Sequence, residues 1–319
     1  MRETLNKVKL IGRVYDFTIA EKVTGEGSKN PGTPYIGGTL SIATDDACLN
    51  VVDVNFTYVT ETTTKGNKNA TYTTLKKIIN ENKTILTVGK DDAFKVKVDS
   101  AIGLNDFYTD RKGEETLVSA KRADGGFITI ISAIDEEEDK RNTFECDMLI
   151  NNVRRIEADE EKHIDKDYVV IKGVVFNFRN AILPVEFFVK SESGMKYFES
   201  LDVTPQNLVF TKVWGVINSE TIVRRVEEES AFGEPSVKEF TSKRKEWVVT
   251  GTSKPDATYE IGDAETGITA DEIKEKMADR EVYLAEVKKR ADDYKASKAA
   301  AGGATNVASA PAALGGFNF

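Results

Sequence analysis

The first strand-like segment of the chain carries three basic side chains that are spaced to bind an anion. In residues 6–15, Lys7, Lys9 and Arg13 alternate with apolar residues, a period of two that is typical of a half-buried strand. Three cations on one strand face repel one another unless an anion lies against them. We therefore expect this face to bind an anion; ordinary solubility charge is the alternative.

Patterns that would support catalysis or metal binding are weak by comparison. The sequence has no G-x-x-x-x-G-K-[ST] loop, no G-x-G-x-x-G after a strand and no G-x-S-x-G. The single histidine, His163, lies among acidic residues, and Cys48 and Cys146 have neither disulfide nor zinc spacing. The acidic run 135–139 is expected to be solvated. We predict no enzyme, no cofactor and no metal site.

Length and charge indicate a two-domain globular protein rather than a simple basic nucleic-acid binder. The chain has 319 residues, of which 40% are hydrophobic, and its net charge is −9. Acidic residues are concentrated in 135–167, so the β-rich segments on either side can still carry local basic faces. No apolar run is long enough for a membrane span, and we see no secretory signal. We expect a cytoplasmic protein.

Residues 1–134 are predicted to form one β-rich domain around a short helix. β-Branched and aromatic residues recur in strand patterns up to residue 134, with one change to a helical period. The segment 22–38 holds five glycines and two prolines, which is typical of a long flexible loop. We assign strands to 6–15, 37–44, 49–59, 84–89, 93–103, 115–122 and 126–134, and a helix to 71–82.

The remainder of the chain is predicted to hold a second, similar domain. The acidic segment 135–143 is predicted to be a linker. Residues 144–256 then repeat the order strand, strand, strand, short helix, strand, strand. The short helix falls at 194–201, and a long protruding hairpin is expected at 220–243.

The C-terminal part is predicted to be a helix followed by a tail. Thr269 and Glu272 form a capping box at the start of a helical pattern within 257–298. Residues 299–319 have no charged side chain and are predicted to be disordered. The tail ends in Phe317 and Phe319, which we expect to dock in a partner's pocket.

Five strands with a helix between the third and fourth have the element order of an OB-fold barrel, which binds oligonucleotides or oligosaccharides. The segment LNKVKLIGRV resembles the opening strand of bacterial and phage single-stranded DNA-binding proteins. The loop, the strands, the helix and a segment ending in Gly89 follow in the same order, and a flexible tail ending in Phe is similar too. The expected fold is mainly β with minor α: two OB-fold-like β-barrels, a C-terminal helix and a disordered tail.

The resemblance implies a groove in which cations follow phosphates and aromatic rings stack on bases. Phe56 and Tyr58 share a face of one predicted strand, and Tyr35 lies in the long loop, although core packing is the alternative for these rings. Besides the first-strand cations, the candidate contacts are Lys22, Lys29, Lys65, Lys68, Arg154, Lys172, Arg179 and Lys212.

The resemblance also implies a non-enzymatic protein that binds and protects single-stranded DNA during replication or recombination. Expected partners are single-stranded DNA, replication or recombination proteins at the tail, and further copies of the chain. A β-rich phage structural protein of a tail or baseplate is the main alternative. A third interpretation is an accessory module that docks on replication enzymes and binds no DNA itself.

Overall fold

The computed structural model describes residues 4–111, 114–159, 164–204, 207–228, 236–254 and 269–301; of residues 111, 220–228, 236–243, 270 and 298–301 it describes only the backbone. Strands dominate these residues, with four α-helices among them. No helix in these ranges is both long enough and apolar enough to cross a bilayer.

The first barrel is built from six strands and two helices: β1 (Asn6–Phe17), β2 (Ala20–Val23), β3 (Pro34–Ala43), β4 (Val51–Thr60), α1 (Ala70–Glu81), α2 (Ile85–Val88), β5 (Lys95–Arg111) and β6 (Glu114–Ile131). It closes through five strand pairings. β1 pairs with both β3 and β5, β3 pairs with β4, β4 runs parallel to β6, and β6 pairs with β5. With the helix α1 inserted before β5, this is the topology of an OB-fold.

The second barrel consists of β7 (Asn142–Ile156), β8 (Tyr168–Phe176), β9 (Ile182–Val189), α3 (Glu192–Glu199), β10 (Val209–Glu228) and β11 (Ser236–Thr252). It repeats the pairing order of the first barrel. β7 pairs with β8 and β10, β8 pairs with β9, β9 runs parallel to β11, and β11 pairs with β10. The predicted repeat of two OB-fold-like barrels is therefore confirmed.

The two barrels are joined edge to edge by β1 and β7. These strands pair antiparallel, with Val8 opposite Phe144 at the centre, so one sheet of eleven strands runs through both barrels. Within the acidic segment, residues 138–140 form a single 3-10 turn. Arg141 is buried and its backbone carbonyl accepts a hydrogen bond of 2.7 Å from the Ile11 amide. The segment 135–143 is thus held against β1.

The assignment of a strand at 84–89 is wrong. Its β-branched residues suggested an extended segment, but Thr84 instead caps the short helix α2. The Thr84 hydroxyl accepts a hydrogen bond from the Thr87 amide at 3.2 Å, and the Thr87 hydroxyl accepts one from the Thr84 amide at 2.9 Å. This reciprocal capping box satisfies two backbone donors that an extended chain would leave to a neighbouring strand.

The C-terminal helix, α4 (Ala270–Ala301), begins at the predicted capping box. The Glu272 amide donates to the Thr269 hydroxyl at 3.2 Å, and the Glu272 carboxylate accepts from the Thr269 amide at 2.9 Å. Ile273 packs against a small apolar cluster on the outside of the second barrel. The tail with Phe317 and Phe319 lies outside the described residues.

Candidate nucleic-acid interface

Two tyrosine rings lie side by side on the outer face of β3 and β4. The ring centroids of Tyr35 and Tyr58 are 4.8 Å apart with an interplanar angle of 43°. Tyr35 lies opposite Thr60, so Tyr58 is its diagonal cross-strand neighbour. Tyr58 is 48% exposed, although side chains of its size usually bury most of their area in a barrel. The pair offers flat aromatic surface to solvent.

A glycine next to this pair lets the ring lie close to the strand. A Cβ atom at Gly37 would lie 3.1 Å from the Tyr35 ring and 2.9 Å from the carbonyl oxygen of Thr57. A larger residue at position 37 would therefore push the Tyr35 ring outward. The sequence pair Gly37-Gly38 thus contributes to the position of the aromatic surface as well as to the bend of β3.

A lysine on the neighbouring strand completes the arrangement. Lys22 of β2 lies directly opposite Tyr35, and cross-strand neighbours project from the same face of a sheet. Lys22 is exposed and has no ion-pair partner among the residues that the structure describes. We call Lys22, Tyr35 and Tyr58 the tyrosine platform; it places one cation and two rings on three adjacent strands.

The other loop lysines of the first barrel are exposed but lie apart. Lys29 is in the loop between β2 and β3, and Lys65 and Lys68 are in the loop between β4 and α1. None of the three has an ion-pair partner within the described ranges. They add cations at the ends of the strands that carry the platform.

The cations of β1 do not form an open row. Lys9 forms a hydrogen-bonded ion pair of 2.8 Å with Glu136, and Arg13 lies 3.6 Å from Asp46. The side chain of Arg13 is only 15% exposed, so the expectation that all three cations line one solvent face is wrong for Arg13. Lys7 is exposed. The sequence pattern predicted an anion beside these cations. For Lys9 and Arg13 that anion is a carboxylate of the chain itself.

Those carboxylates are held in their ionised forms. The hydrogen bond from Arg141, together with the charges of Arg141, Lys90 and Arg13, lowers the pKa of Asp46. The hydrogen bond from Lys9 similarly lowers the pKa of Glu136. Both ion pairs therefore persist at neutral pH.

Phe56 does not belong to a surface site. It is fully buried in the core of the first barrel, because it projects from the opposite face of β4 to Asn55 and Thr57. Its prediction as a base-stacking residue is wrong.

The predicted cations of the second barrel are scattered, and two of them are compensated. Lys172 forms an ion pair of 2.5 Å with Glu186, and Lys212 pairs with Glu145. Arg179 is exposed in the turn between β8 and β9, where its guanidinium lies 5.1 Å from the ring centroid of the exposed Phe178. Arg154 is exposed on β7.

Phe107 and Phe127 are exposed aromatic residues of the first barrel that the sequence did not single out. Phe127 of β6 is largely exposed and follows Gly125 and Gly126, which both have positive φ values. The Gly-Gly pair marks a break in strand regularity, and this was the signal that the following residue need not project inward.

No metal centre is evident within the described residues, since no group of three or more His, Cys, Asp or Glu side chains there could hold an ion. Cys146 is buried at the junction of the barrels, and burial raises the pKa of its thiol. The thiol therefore stays protonated and behaves as an apolar core residue.

Comparison with known proteins gives a family match and several distant structural likenesses. The wild-type single-stranded DNA-binding protein of Thermus aquaticus is similar over 83% of this chain and 98% of its own, with 11% identity and a TM-score of 0.46. A deletion variant of that protein is similar over 83% of this chain and 100% of its own, with 12% identity and a TM-score of 0.45. No curated protein matches the sequence. The YorF family model matches residues 4–290, and the chain therefore belongs to the YorF family.

Proposed function

We propose that this protein binds and protects single-stranded DNA through the tyrosine platform, without enzymatic activity. The observation that carries the proposal is the Tyr35–Tyr58 pair, in which Tyr58 is exposed and Tyr35 half-buried, with rings 4.8 Å apart and Lys22 on the next strand. In an OB-fold the outer face of the second and third barrel strands is where single strands bind, and β3 and β4 are those strands here.

The chemistry of the platform favours unpaired bases over duplex DNA. A base can stack on an exposed ring only when it has left its own helix, and each such stack contributes about 1–3 kcal/mol. Lys22, Lys29, Lys65 and Lys68 can neutralise phosphates because no carboxylate among the described residues holds them. Lys9, Arg13, Lys172 and Lys212 are in ion pairs and would have to exchange a carboxylate for a phosphate.

The proposal includes a biological setting. Single strands need protection during replication and recombination. We therefore propose that the protein acts in these processes, in the cytoplasm, as a phage-type single-stranded DNA-binding protein. Phe317 and Phe319 would offer two aromatic anchors to a replication or recombination protein. We also propose that the chain associates with further copies of itself, and that residues 135–143 link its two domains.

The test is a titration of labelled oligo-dT with two variants. Because each lost stack costs about 1–3 kcal/mol, the double variant Tyr35→Ala, Tyr58→Ala should bind oligo-dT at least about tenfold more weakly. Phe127→Ala removes an exposed ring outside the platform and is the matched control. Unchanged binding by the double variant, or an equal loss in the control, would contradict the role of the platform.

A further inference from the structure

The two barrels correspond to each other position by position around their junction. Asn6 lies opposite Cys146 and Leu10 opposite Asn142, so the pairs are arranged symmetrically about Val8 and Phe144. Asn6 and Asn142 are thereby equivalent, and each donates its amide to a strand of its own barrel. Asn6 donates to the carbonyl of Ile102 at 3.0 Å and Asn142 to that of Ile217 at 2.7 Å.

The equivalence extends along the strands. β1 has an irregular register against β3 between Val14 and Asp16, and β7 has one against β8 between Ile150 and Asn152. Each irregularity lies eight residues beyond its equivalent asparagine. Accordingly β8 corresponds to β3, and β9 corresponds to β4.

The second barrel carries an aromatic pair on the strands that correspond to those of the tyrosine platform, at the positions of Gly37 and Asn55 rather than of the two tyrosines. The ring centroids of Tyr168 on β8 and Phe188 on β9 are 5.6 Å apart, with an interplanar angle of 63°. Phe188 lies opposite Val170, two residues beyond Tyr168, so the pair is a diagonal cross-strand pair like that of Tyr35 and Tyr58. Both rings are half-buried, which leaves part of each surface open to a ligand.

A cation accompanies this second pair as well. Arg154 of β7 lies opposite Val170, which in turn lies opposite Phe188, so all three side chains project from one face. Arg154 is exposed and has no ion-pair partner in the described part of the chain. Its neighbour Arg155, by contrast, is held by Asp167 at 2.6 Å and Glu199 at 3.1 Å.

The other end of the outer face of β8 and β9 is covered by side chains of the protein itself. An apolar cluster at that end contains Val174, Phe176 and Ile182. Leu208 packs against this cluster, and so does Ile273 of α4. A ligand on the outer face of β8 and β9 is therefore confined to the end that carries Tyr168 and Phe188.

We infer that Arg154, Tyr168 and Phe188 form a second site for a single strand, so that one chain binds two segments of single-stranded nucleic acid. This inference rests on the proposed function of the tyrosine platform. We therefore expect each barrel to cover only part of the single-stranded nucleic acid that one chain covers.

The experiment uses the full chain, poly-dT and a bromodeoxyuridine-substituted oligonucleotide. In Tyr168→Leu, Phe188→Leu the flat rings are lost while apolar packing is kept; Tyr168→Ala, Phe188→Ala is the harsher variant, and Phe127→Ala is the control. Both pair variants should cover fewer nucleotides per chain at saturation, about half as many, and should retain binding of a short oligo-dT through the tyrosine platform. Ultraviolet cross-linking of the wild-type protein should yield peptides that contain Tyr168 or Phe188.

The outcomes separate this inference from the proposed function. If the folded leucine variant covers as many nucleotides as the wild type and no cross-link maps to β8 or β9, the second site is refuted while the platform stands. If the wild-type protein does not bind poly-dT, both the platform and the second site are refuted.

Discussion

Arg280 of α4 donates two hydrogen bonds, of 2.7 and 3.0 Å, to the two carboxylate oxygens of Asp106 on β5. The two side chains are only 10% and 2% exposed, so this is a buried bidentate ion pair. Farther along the helix, Lys288 lies 2.6 Å from Glu115 on β6. Since Ile273 packs against the second barrel, α4 contacts both barrels.

Loss of this ion pair should release α4. Arg280→Ala leaves the buried carboxylate of Asp106 without its main partner, a change that costs about 3–5 kcal/mol in buried pairs. Hydrogen exchange of the α4 amides should therefore accelerate strongly, while barrel amides keep most of their protection. Lys276→Ala is the control, because Lys276 pairs only with Glu275 and Asp279 of its own helix among the described residues. Equal protection in wild type and Arg280→Ala would show that the ion pair with Asp106 does not hold the helix in place.

Lys121 should give the protein a pH-dependent stability. Lys121 lies on β6 of the first barrel, and its amine donates a hydrogen bond to the backbone carbonyl of Glu186 in the second barrel. The same amine lies 4.3 Å from the ring centroid of Phe187. Burial lowers the pKa of Lys121 to about 7. The unfolded chain keeps this proton up to the ordinary lysine range, so between the two pKa values the unfolded state binds more protons and stability rises with pH.

The variant Lys121→Met removes that titration. The variant should gain most over the wild type in free energy of unfolding at about pH 7. This gain should shrink towards about pH 10, because the wild type becomes more stable as Lys121 loses its proton. Urea denaturation at both pH values measures the difference. A constant difference between the variant and the wild type across this range would mean that Lys121 stays charged in the folded protein.

Asn50 links the two barrels through hydrogen bonds that can be tested by substitution. Its amide donates to the carbonyl of Ile217 at 3.1 Å and its oxygen accepts from the Ser219 amide at 2.6 Å. Asn50→Ala should lower the free energy of unfolding by about 1–3 kcal/mol, because the buried Ser219 amide loses its acceptor. Asn30→Ala, in an exposed loop, should change it little. A loss in Asn30→Ala as large as that in Asn50→Ala would argue against a specific link.

Local patterns predicted the elements better than their assembly. The alternation around Val8 and the capping box at Thr269 depend on neighbours in sequence, and both appear in the structure. The pairing of Val8 with Phe144 joins residues far apart in the chain, and no local pattern encodes that register. The long strand β6 was predicted as two strands, 115–122 and 126–134, because Gly125 and Gly126 interrupt its periodicity without ending it.

The site was harder to predict because partners decide which cations are free. Lys9 and Lys22 look alike in the sequence, yet Glu136 holds Lys9, whereas Lys22 is exposed beside Tyr35. Likewise Phe56 and Tyr58 are two residues apart on one strand and were expected on the same face. The register shift of β3 and β4 between Ile36 and Gly38 lies opposite this part of β4, and it leaves Phe56 inside and Tyr58 outside.

The most direct test of the central claim is the affinity of the wild-type protein for oligo-dT and for duplex DNA at two salt concentrations. Oligo-dT should bind with an affinity that weakens with salt, with a slope of log K against log salt of about −0.7 for each neutralised phosphate. Duplex DNA should bind far more weakly, because its bases cannot reach Tyr35 and Tyr58. Absence of oligo-dT binding at low salt, or equal affinity for duplex, would contradict the account.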